Sequence, residues 1–178
     1  MSIFYIEDLI MNMKSIFFDR DGVINEERGT YTFLRNEFII LPNVLDTFLR
    51  LKEMGFKLIV ITNQAGISKG LYTREQMVDC HDYLQEKAAY LIDDFYYAPM
   101  HPDFSESLSR KPNSLMFERA CSKHTIDPSQ SFMVGDKESD LIPAKKMGMT
   151  SILLGRKNTR YADYFIDDIS ELVSLAQV

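Results

Sequence analysis

Residues 17–25 read Phe-Phe-Asp-Arg-Asp-Gly-Val-Ile-Asn, an apolar stretch that stops abruptly at two carboxylates, Asp19 and Asp21. The residues before them, Ser15–Phe18, are predicted to form a β-strand, because they are β-rich and apolar. Two carboxylates this close together repel each other unless a cation lies near them. Gly22 allows the backbone to turn sharply and to approach a ligand. On its own, such a pair is also compatible with a solvated turn.

The rest of the chain alternates short β-rich runs with amphipathic stretches, which indicates an α/β fold with a mainly parallel sheet. Further strands are predicted at residues 57–61, 94–97, 131–134 and 150–154. Helices are predicted at residues 44–54, 73–91, 113–123, 139–147 and 168–176. Asn43 is predicted to cap the first helix, and Thr73 with Gln76 resembles the capping box of the second. The sequence therefore predicts a Rossmann-like, three-layer α/β sandwich.

Polar side chains follow several of these strands at the point where each strand ends. Asp19, Thr62 and Asp136 each come directly after a predicted strand. Lys111 lies in the long polar connection after the third strand, from which it could reach the same edge of the sheet. Ligands bind at the carboxyl edge of open parallel sheets. We therefore expect these four side chains to meet there.

Composition narrows the possible partners. The chain has 178 residues, 46% of them apolar and 26% charged, which suits one globular domain. Its net charge of −6 argues against a nucleic-acid partner, and its apolar runs are too short to span a membrane. Cys80 and Cys121 form no Cys-x-x-Cys pair, so a cytoplasmic location is expected. We expect a monomer, with residues 1–13 as an N-terminal extension and residues 14–178 as the domain.

Three further stretches carry chemical signals. Thr-Asn-Gln-Ala-Gly-Ile at residues 62–67 offers a hydroxyl and successive backbone N–H groups that can hold phosphate oxygens. Arg-Lys-Pro at residues 110–112 holds two cations in extended backbone, because proline disfavours helix at the preceding residue. Residues 132–140 are an apolar strand followed by Gly-Asp and, four residues after Asp136, by Asp140.

Together with residues 17–25, these stretches resemble, in order, the four motifs of the haloacid dehalogenase-like (HAD) phosphatase superfamily. The resemblance implies that Asp19 is the nucleophile and Asp21 the general acid and base. Thr62 would hold the transferring phosphoryl group, and Lys111 would neutralise its charge. The implied cofactor is Mg²⁺, and its ligands would be Asp19, the backbone carbonyl of Asp21, and Asp136, with Asp140 in the outer shell.

Longer strings narrow the resemblance to one branch of the superfamily. Asp-Arg-Asp-Gly-x-Ile-Asn, Thr-Asn-Gln-Ala-Gly-Ile, Arg-Lys-Pro and Val-Gly-Asp-Lys resemble D-glycero-D-manno-heptose 1,7-bisphosphate 7-phosphatase and histidinol-phosphatase. That branch has no large cap domain and recognises its small phosphorylated substrate through three inserts, expected here near residues 26–36, 65–72 and 98–112. The implied substrate-binding residues are Glu27, Arg28, Gly29, Thr30, Asn63, Gln64, Ala65, Arg110 and Lys137.

One departure from this branch concerns zinc. The branch often carries a structural zinc in the third insert, but the corresponding positions here are Ala98, Met100, Ser107 and Ser109. None of these is a good zinc ligand, so we expect no zinc. We expect that packing around residues such as Phe104 orders the insert, or that the insert stays mobile until substrate binds.

Several alternatives remain open at this point. Another small-metabolite phosphatase is the enzymatic alternative, with histidinol phosphate as the second substrate. An inactive scaffold with a phosphatase fold is the non-enzymatic alternative. A phosphoryl-transferring mutase is disfavoured, because no cap that would exclude water is evident. His81 and His124 have no metal-ligand spacing and are expected on helix surfaces.

Overall fold

The computed structural model describes residues 13–155 and 158–177. The predicted N-terminal extension therefore lies outside the described residues except for Met13. The N–H of Met13 donates to the carbonyl of Thr125 at 2.8 Å, and its carbonyl accepts from the N–H of Asp127 at 3.0 Å. Met13 is thereby held against the domain.

The sheet of the described residues is six-stranded and wholly parallel. Its strands are β1 (Ser15–Phe18), β2 (Lys57–Asn63), β3 (Asp94–Ala98), β4 (Phe132–Gly135), β5 (Thr150–Leu154) and β6 (Tyr164–Ile166). They lie in the order β3-β2-β1-β4-β5-β6. The strand order reverses between β1 and β4, and such a switch point opens a crevice at the carboxyl ends of the strands.

Five helices cover the sheet: α1 (Val44–Glu53), α2 (Arg74–Lys87), α3 (Leu115–His124), α4 (Glu138–Lys146) and α5 (Leu172–Leu175). One hydrophobic core joins α1, α2 and α5 to one face of the sheet, around Phe18, Phe48 and Leu172. The other core joins α3 and α4 to the opposite face, around Phe17 and Phe117. Side chains alternate between the faces of a strand, so consecutive apolar residues of β1 serve both cores. The predicted three-layer α/β sandwich without a large cap is confirmed.

The local signals were partly correct. Thr73 and Gln76 form the predicted capping box of α2. Asn43 stands before α1 but makes no capping hydrogen bond with its side chain, which instead donates to Asp168 at 2.8 Å. The predicted last helix is shorter than expected, because a 3-10 turn occupies Ile169–Glu171. No strand was predicted at β6, whose three residues are too few to show a pattern.

Among residues 13–155 and 158–177, no helix combines the length and apolarity that a bilayer crossing requires.

His81 was expected on a helix surface, and that expectation is wrong. Its imidazole is 5% exposed and stacks on Phe95 of β3, with ring centroids 4.6 Å apart. Burial, helped by the charge of Arg20, lowers the pKa of His81 to about 3. The folded protein therefore keeps this histidine neutral where the unfolded chain, with a pKa near 6.5, takes up a proton. As the pH falls below about 6.5, this difference progressively destabilises the fold.

We predict that His81→Phe makes the protein more tolerant of acid. Chemical denaturation at pH 7 and at pH 5 gives the free energy of unfolding of both proteins. From pH 7 to pH 5, the free energy of unfolding of the wild type should fall by on the order of 2 kcal/mol more than that of the variant. The reason is that only the wild type takes up a proton at this position when it unfolds. The comparison at pH 7 measures the packing change alone. Parallel pH dependences for the two proteins would contradict the prediction.

Candidate active site

Asp19 stands at the carboxyl end of β1, beside the switch point of the sheet. Its N–H donates to the carbonyl of Val134 on β4 at 3.0 Å, and its Oδ1 accepts from the N–H of Arg20 at 2.7 Å. The side chain is buried. Burial and the carboxylate of Asp140 raise the pKa of Asp19 to about 6, although Lys111 opposes them. This carboxylate is therefore held in a place where a nearby cation stabilises it strongly.

Lys111 supplies such a cation. Its Nζ lies 2.8 Å from Oδ1 of Asp19 and 2.7 Å from Oδ1 of Asp140, and it donates to the carbonyl of Ile61 at 2.8 Å. The three protons of the ammonium group thus match three acceptors. Lys111 is only 2% exposed. Burial opposes its charge, but the carboxylates of Asp140 and Asp19 raise its pKa, so the lysine stays protonated.

Asn63 at the end of β2 fixes the backbone of Lys111. Its Oδ1 accepts from the N–H of Lys111 at 3.0 Å, and its Nδ2 donates to the carbonyl of Lys111 at 3.1 Å. This reciprocal pair ties the loop after β3 to the neighbouring strand. It explains how a residue from a long connection reaches the carboxyl edge of the sheet.

Hydrogen bonds tie other parts of that loop to the domain, and the rings of His101 and Phe104 meet edge to face with centroids 6.5 Å apart. Phe104 is an exposed side chain. The N–H of His101 donates to Oγ of Ser68 at 2.9 Å, which links the second and third predicted inserts. Ser107 and Ser109, two of the positions at which zinc ligands are absent, lie within hydrogen-bonding distance of each other, with hydroxyl oxygens 3.0 Å apart. The absence of zinc stays a prediction.

Three carboxylates form an acidic cluster beside Lys111. Asp19, Asp136 and Asp140 each place a carboxylate oxygen within 4.8 Å of the others. Two glycines make this convergence possible. A Cβ at Gly22, whose φ is +90°, would lie 2.8 Å from Oδ2 of Asp136, and a Cβ at Gly135 would lie 2.7 Å from Oδ2 of Asp140. Any side chain at either position would push a carboxylate away.

The donor set of this cluster fits Mg²⁺, which prefers oxygen ligands and few carboxylates. Asp140 is held on both oxygens by protein groups: Oδ1 by Lys111 at 2.7 Å and Oδ2 by the N–H of Lys137 at 3.1 Å. That arrangement suits an outer-shell role. Asp19 and Asp136 are the side chains that could bind the ion directly, and the mutual repulsion of the carboxylates would be relieved by it.

Asp21, two residues after Asp19, is held by four hydrogen bonds. The guanidinium of Arg20 donates to it twice, from Nε at 3.1 Å and from Nη2 at 3.0 Å. Asn25 donates at 2.9 Å and Gln64 at 3.2 Å. Burial alone would raise the pKa of Asp21, but Arg20 and the two amides hold it below its usual value. This carboxylate is therefore ionised before any substrate binds.

Arg20 was not singled out from the sequence, although it lies between the two motif carboxylates. It is 1% exposed, and its Nη2 also donates to the carbonyl of Thr32 at 2.7 Å. A fully buried arginine needs a carboxylate partner. The carboxylate next to it in the motif was the available signal, but the sequence could not show that the side chain points inward.

Most of these side chains line a pocket of about 530 Å³ at the carboxyl edge of the sheet. The predicted site residues that line it are Asp19, Asp21, Glu27, Gly29, Thr30, Thr62, Asn63, Arg110, Lys111, Lys137 and Asp140. Arg20, Tyr31, Thr32 and Ser139 line it as well and were not predicted. Tyr31 and Thr32 follow directly on the run 27–30 that the resemblance implies, and the predicted insert at residues 26–36 was the available signal for them.

Three residues predicted to bind substrate lie elsewhere. Arg28 forms an ion pair with Glu37 at 2.8 Å. Gln64 and Ala65 are buried and do not line the pocket. Lys137, by contrast, reaches across the pocket rim to Oε2 of Glu27 at 2.8 Å. The contacts with substrate that were predicted for Arg28, Gln64, Ala65 and Lys137 stay predictions.

Comparisons with known proteins agree with this geometry. A model of the HAD-hydrolase-like family matches residues 108–172. A D-glycero-D-manno-heptose-1,7-bisphosphate 7-phosphatase from Chlorobaculum tepidum is 33% identical, and the match covers 90% of this chain and 92% of the relative. A D-glycero-beta-D-manno-heptose-1,7-bisphosphate 7-phosphatase from Haemophilus influenzae is 35% identical, with 89% and 94% covered.

Solved structures show the same fold. A crystal structure of D,D-heptose 1,7-bisphosphate phosphatase from B. bronchiseptica, complexed with magnesium and phosphate, superposes with a TM-score of 0.84. It is 24% identical, and the match covers 93% of this chain and 98% of that one. The two heptose-bisphosphate phosphatase relatives are similar to this chain over nearly their whole length. The chain therefore belongs to the D-glycero-D-manno-heptose-1,7-bisphosphate 7-phosphatase family of HAD-like hydrolases.

Proposed function

We propose that the protein is a magnesium-dependent phosphomonoester hydrolase that removes the 7-phosphate of D-glycero-D-manno-heptose 1,7-bisphosphate. One observation carries the chemistry: the Asp19 carboxylate is buried at the switch point, 2.8 Å from Lys111 and within 4.8 Å of two further carboxylates. A nucleophile, a fixed cation and a set of oxygen ligands are thereby in one place. The names of the relatives support the substrate.

In the first half of the reaction, Asp19 attacks phosphorus. A bond forms between its carboxylate oxygen and phosphorus while the bond from phosphorus to the sugar oxygen breaks, and Asp21 gives that oxygen a proton. A phosphate dianion beside Asp21 favours the protonated form of this carboxyl, because like charges raise a pKa. Lys111 and the hydroxyl of Thr62 hold the phosphoryl oxygens.

In the second half, water opens the aspartyl-phosphate on Asp19. Asp21, now ionised, takes a proton from the attacking water, and phosphate leaves. Its four hydrogen bonds suit this role as a base, because they stabilise the carboxylate form. Magnesium, held by Asp19, Asp136 and the backbone carbonyl of Asp21 with Asp140 outside them, would neutralise the charge of the phosphoryl group throughout.

The substrate side of the pocket suits a phosphorylated sugar. Its volume of about 530 Å³ lies within the range of small-molecule sites. Arg110 and Lys137 bring positive charge to its wall, and Arg110 can present a fork to a second phosphate. Glu27 and Thr30 offer acceptors for sugar hydroxyls. The three predicted inserts act as the recognition loops in this proposal. Glu27 and Thr30 belong to the first of them and Arg110 to the third.

We also place the protein in the cytoplasm. Cys80 and Cys121 are both free thiols, as a reducing compartment would keep them.

The role of Asp19 is tested by Asp19→Asn. With Mg²⁺ and p-nitrophenyl phosphate, the variant should lose at least about a thousandfold in kcat, because an amide is not a nucleophile for phosphorus. Asp46→Asn, an exposed carboxylate on α1, is the matched control and should keep wild-type activity. Equal, negligible rates for the wild type and Asp19→Asn would favour an inactive scaffold.

Magnesium binding is tested without an activity assay. We expect MgCl₂ to raise the melting temperature of the wild type by several degrees, because an ion that binds only the folded state stabilises it. Asp136→Asn should abolish most of this increase, whereas Asp46→Asn should retain it. A wild-type melting temperature that does not respond to millimolar Mg²⁺ would count against the site.

The substrate is tested with a panel that contains heptose 1,7-bisphosphate, other sugar phosphates and histidinol phosphate. The bisphosphate should give the highest kcat/KM. Arg110→Ala should raise its KM about tenfold or more, because a charged hydrogen-bonding partner is lost, and should leave p-nitrophenyl phosphate nearly unaffected. If histidinol phosphate gives the highest kcat/KM, the proposed substrate is wrong while the proposed chemistry stands.

A further inference from the structure

Gln64 lies beneath the pocket, and its side-chain amide joins three groups. Its Nε2 donates to Oδ2 of Asp21 at 3.2 Å and to Oγ1 of Thr62 at 2.8 Å, and its Oε1 accepts from the hydroxyl of Tyr72 at 2.6 Å. The amide orientation follows from chemistry, because an ionised carboxylate can only accept a hydrogen bond. Gln64 is 2% exposed. Its polar atoms are thus engaged with protein groups.

Tyr72 is itself held in place from two sides. Its ring lies so close to Gly66 that a Cβ there would stand 2.8 Å from Cδ1 and 2.9 Å from Cζ of the ring. On the other side the ring stacks on Phe33, with centroids 5.1 Å apart at 7°, and contacts Tyr31 at 5.6 Å. The hydroxyl that holds Gln64 therefore sits on a ring that cannot easily shift.

The four hydrogen bonds of Asp21 differ in origin. Arg20 and Asn25 belong to the same turn as Asp21, within four residues of it. Gln64 is the partner that comes from another segment, directly after β2 and 43 residues away. A carboxylate held only from its own turn can move with that turn. The amide of Gln64 donates to both Asp21 and Thr62, at the end of β2. It thereby fixes the position of Asp21 relative to the place proposed for the phosphoryl group.

We propose that Gln64 and Tyr72 are positioning residues, which fix the carboxyl group of Asp21 relative to the phosphoryl group so that it can pass its proton to the leaving oxygen. This inference rests on the proposed hydrolase function. It replaces a direct contact of the Gln64 side chain with substrate by an indirect role. Tyr72 acts through Gln64 and does not touch the reacting atoms.

The proposed positioning role predicts different effects on phosphate esters with poor and with good leaving groups. A sugar or glycerol oxygen leaves poorly without a proton, whereas p-nitrophenolate leaves without one, so a misplaced general acid slows the first half of the reaction only for the alkyl phosphate. The value of kcat/KM reports this half, whereas kcat also contains the hydrolysis of the aspartyl-phosphate, which both probes share. A merely structural role would lower both rates together. The two probes are β-glycerophosphate and p-nitrophenyl phosphate, whose use does not depend on the identity of the natural substrate.

The experiment compares kcat/KM for both probes, with Mg²⁺, in four single variants. Tyr72→Phe removes one hydroxyl and keeps the stacked ring. It should lower kcat/KM for β-glycerophosphate about five- to tenfold, the effect of one buried hydrogen bond, and change kcat/KM for p-nitrophenyl phosphate less than about twofold. Gln64→Met should lower the first rate on the order of a hundredfold. Asp21→Asn reports the full loss of the acid. Tyr83→Phe, a hydroxyl on α2 outside the pocket lining, should change neither rate.

Double substitution separates an indirect role from two independent ones. Since Tyr72 is proposed to act through Gln64, the double variant Tyr72→Phe/Gln64→Met should match Gln64→Met within about twofold. Multiplying losses, or equal losses on both probes in Tyr72→Phe, would overturn the inference while the hydrolase activity of the wild type stands. A wild type no more active than Asp19→Asn on either probe would overturn the proposed function, and the inference with it.

Binding of inorganic phosphate gives a readout that is independent of turnover. The Kd of phosphate with Mg²⁺ should be the same for the wild type and Tyr72→Phe, because the proposed role concerns the proton and not the phosphoryl group. A tenfold weaker Kd would assign Tyr72 and Gln64 to phosphate binding instead and would overturn the inference. Melting temperatures show that each variant is folded.

Discussion

The arrangement of the site depends on the buried ammonium group of Lys111. It contacts Asp19 after β1, the carbonyl of Ile61 in β2 and Asp140 in α4, and thus joins three segments that are far apart in the sequence. A charge taken out of water is tolerated only when partners replace its hydration, and here each proton of the group has one. Without the lysine, two buried carboxylates would face each other unpaired. The same cation that satisfies this electrostatic constraint lies where a phosphoryl group needs it.

The topology of the sheet makes this contact possible. Because β1 and β4 are neighbours at the switch point, the chain leaves them in opposite directions and the space above their carboxyl ends stays open. Phe18 is in register with Val60 on one side and with Val134 on the other, so the strand ends bring Asp19, Thr62 and Asp136 to nearly the same level. Glycines 22 and 135 then allow the carboxylates to approach. Three carboxylates that repel one another when no cation is bound are thereby held close together, where a cation could bind them.

The surroundings of Asp21 differ from those of Asp19, although only one residue separates the two in the sequence. Burial raises the pKa of Asp19, whereas the guanidinium of Arg20 and two amides lower that of Asp21. Two carboxyl groups with different surroundings can take different chemical roles in one pocket. Here the difference comes from Arg20, which lies between them in the sequence and points toward the second. The hydrogen bond from Gln64 adds a contact from the segment that follows β2.

The sequence by itself determined the fold class, five of the six strands and the edge at which the site lies, because these follow from apolar runs, turns and the residue types at strand ends. Asp19, Thr62, Lys111 and Asp136 could be chosen from those local patterns. Only the tertiary structure decided that Asp140 contacts Lys111, that Gln64 is buried and that Tyr31 faces the pocket. Contacts of this kind depend on strand register and on which side of a loop a side chain takes. Such choices are set by packing between segments distant in the chain, and local sequence patterns do not encode them.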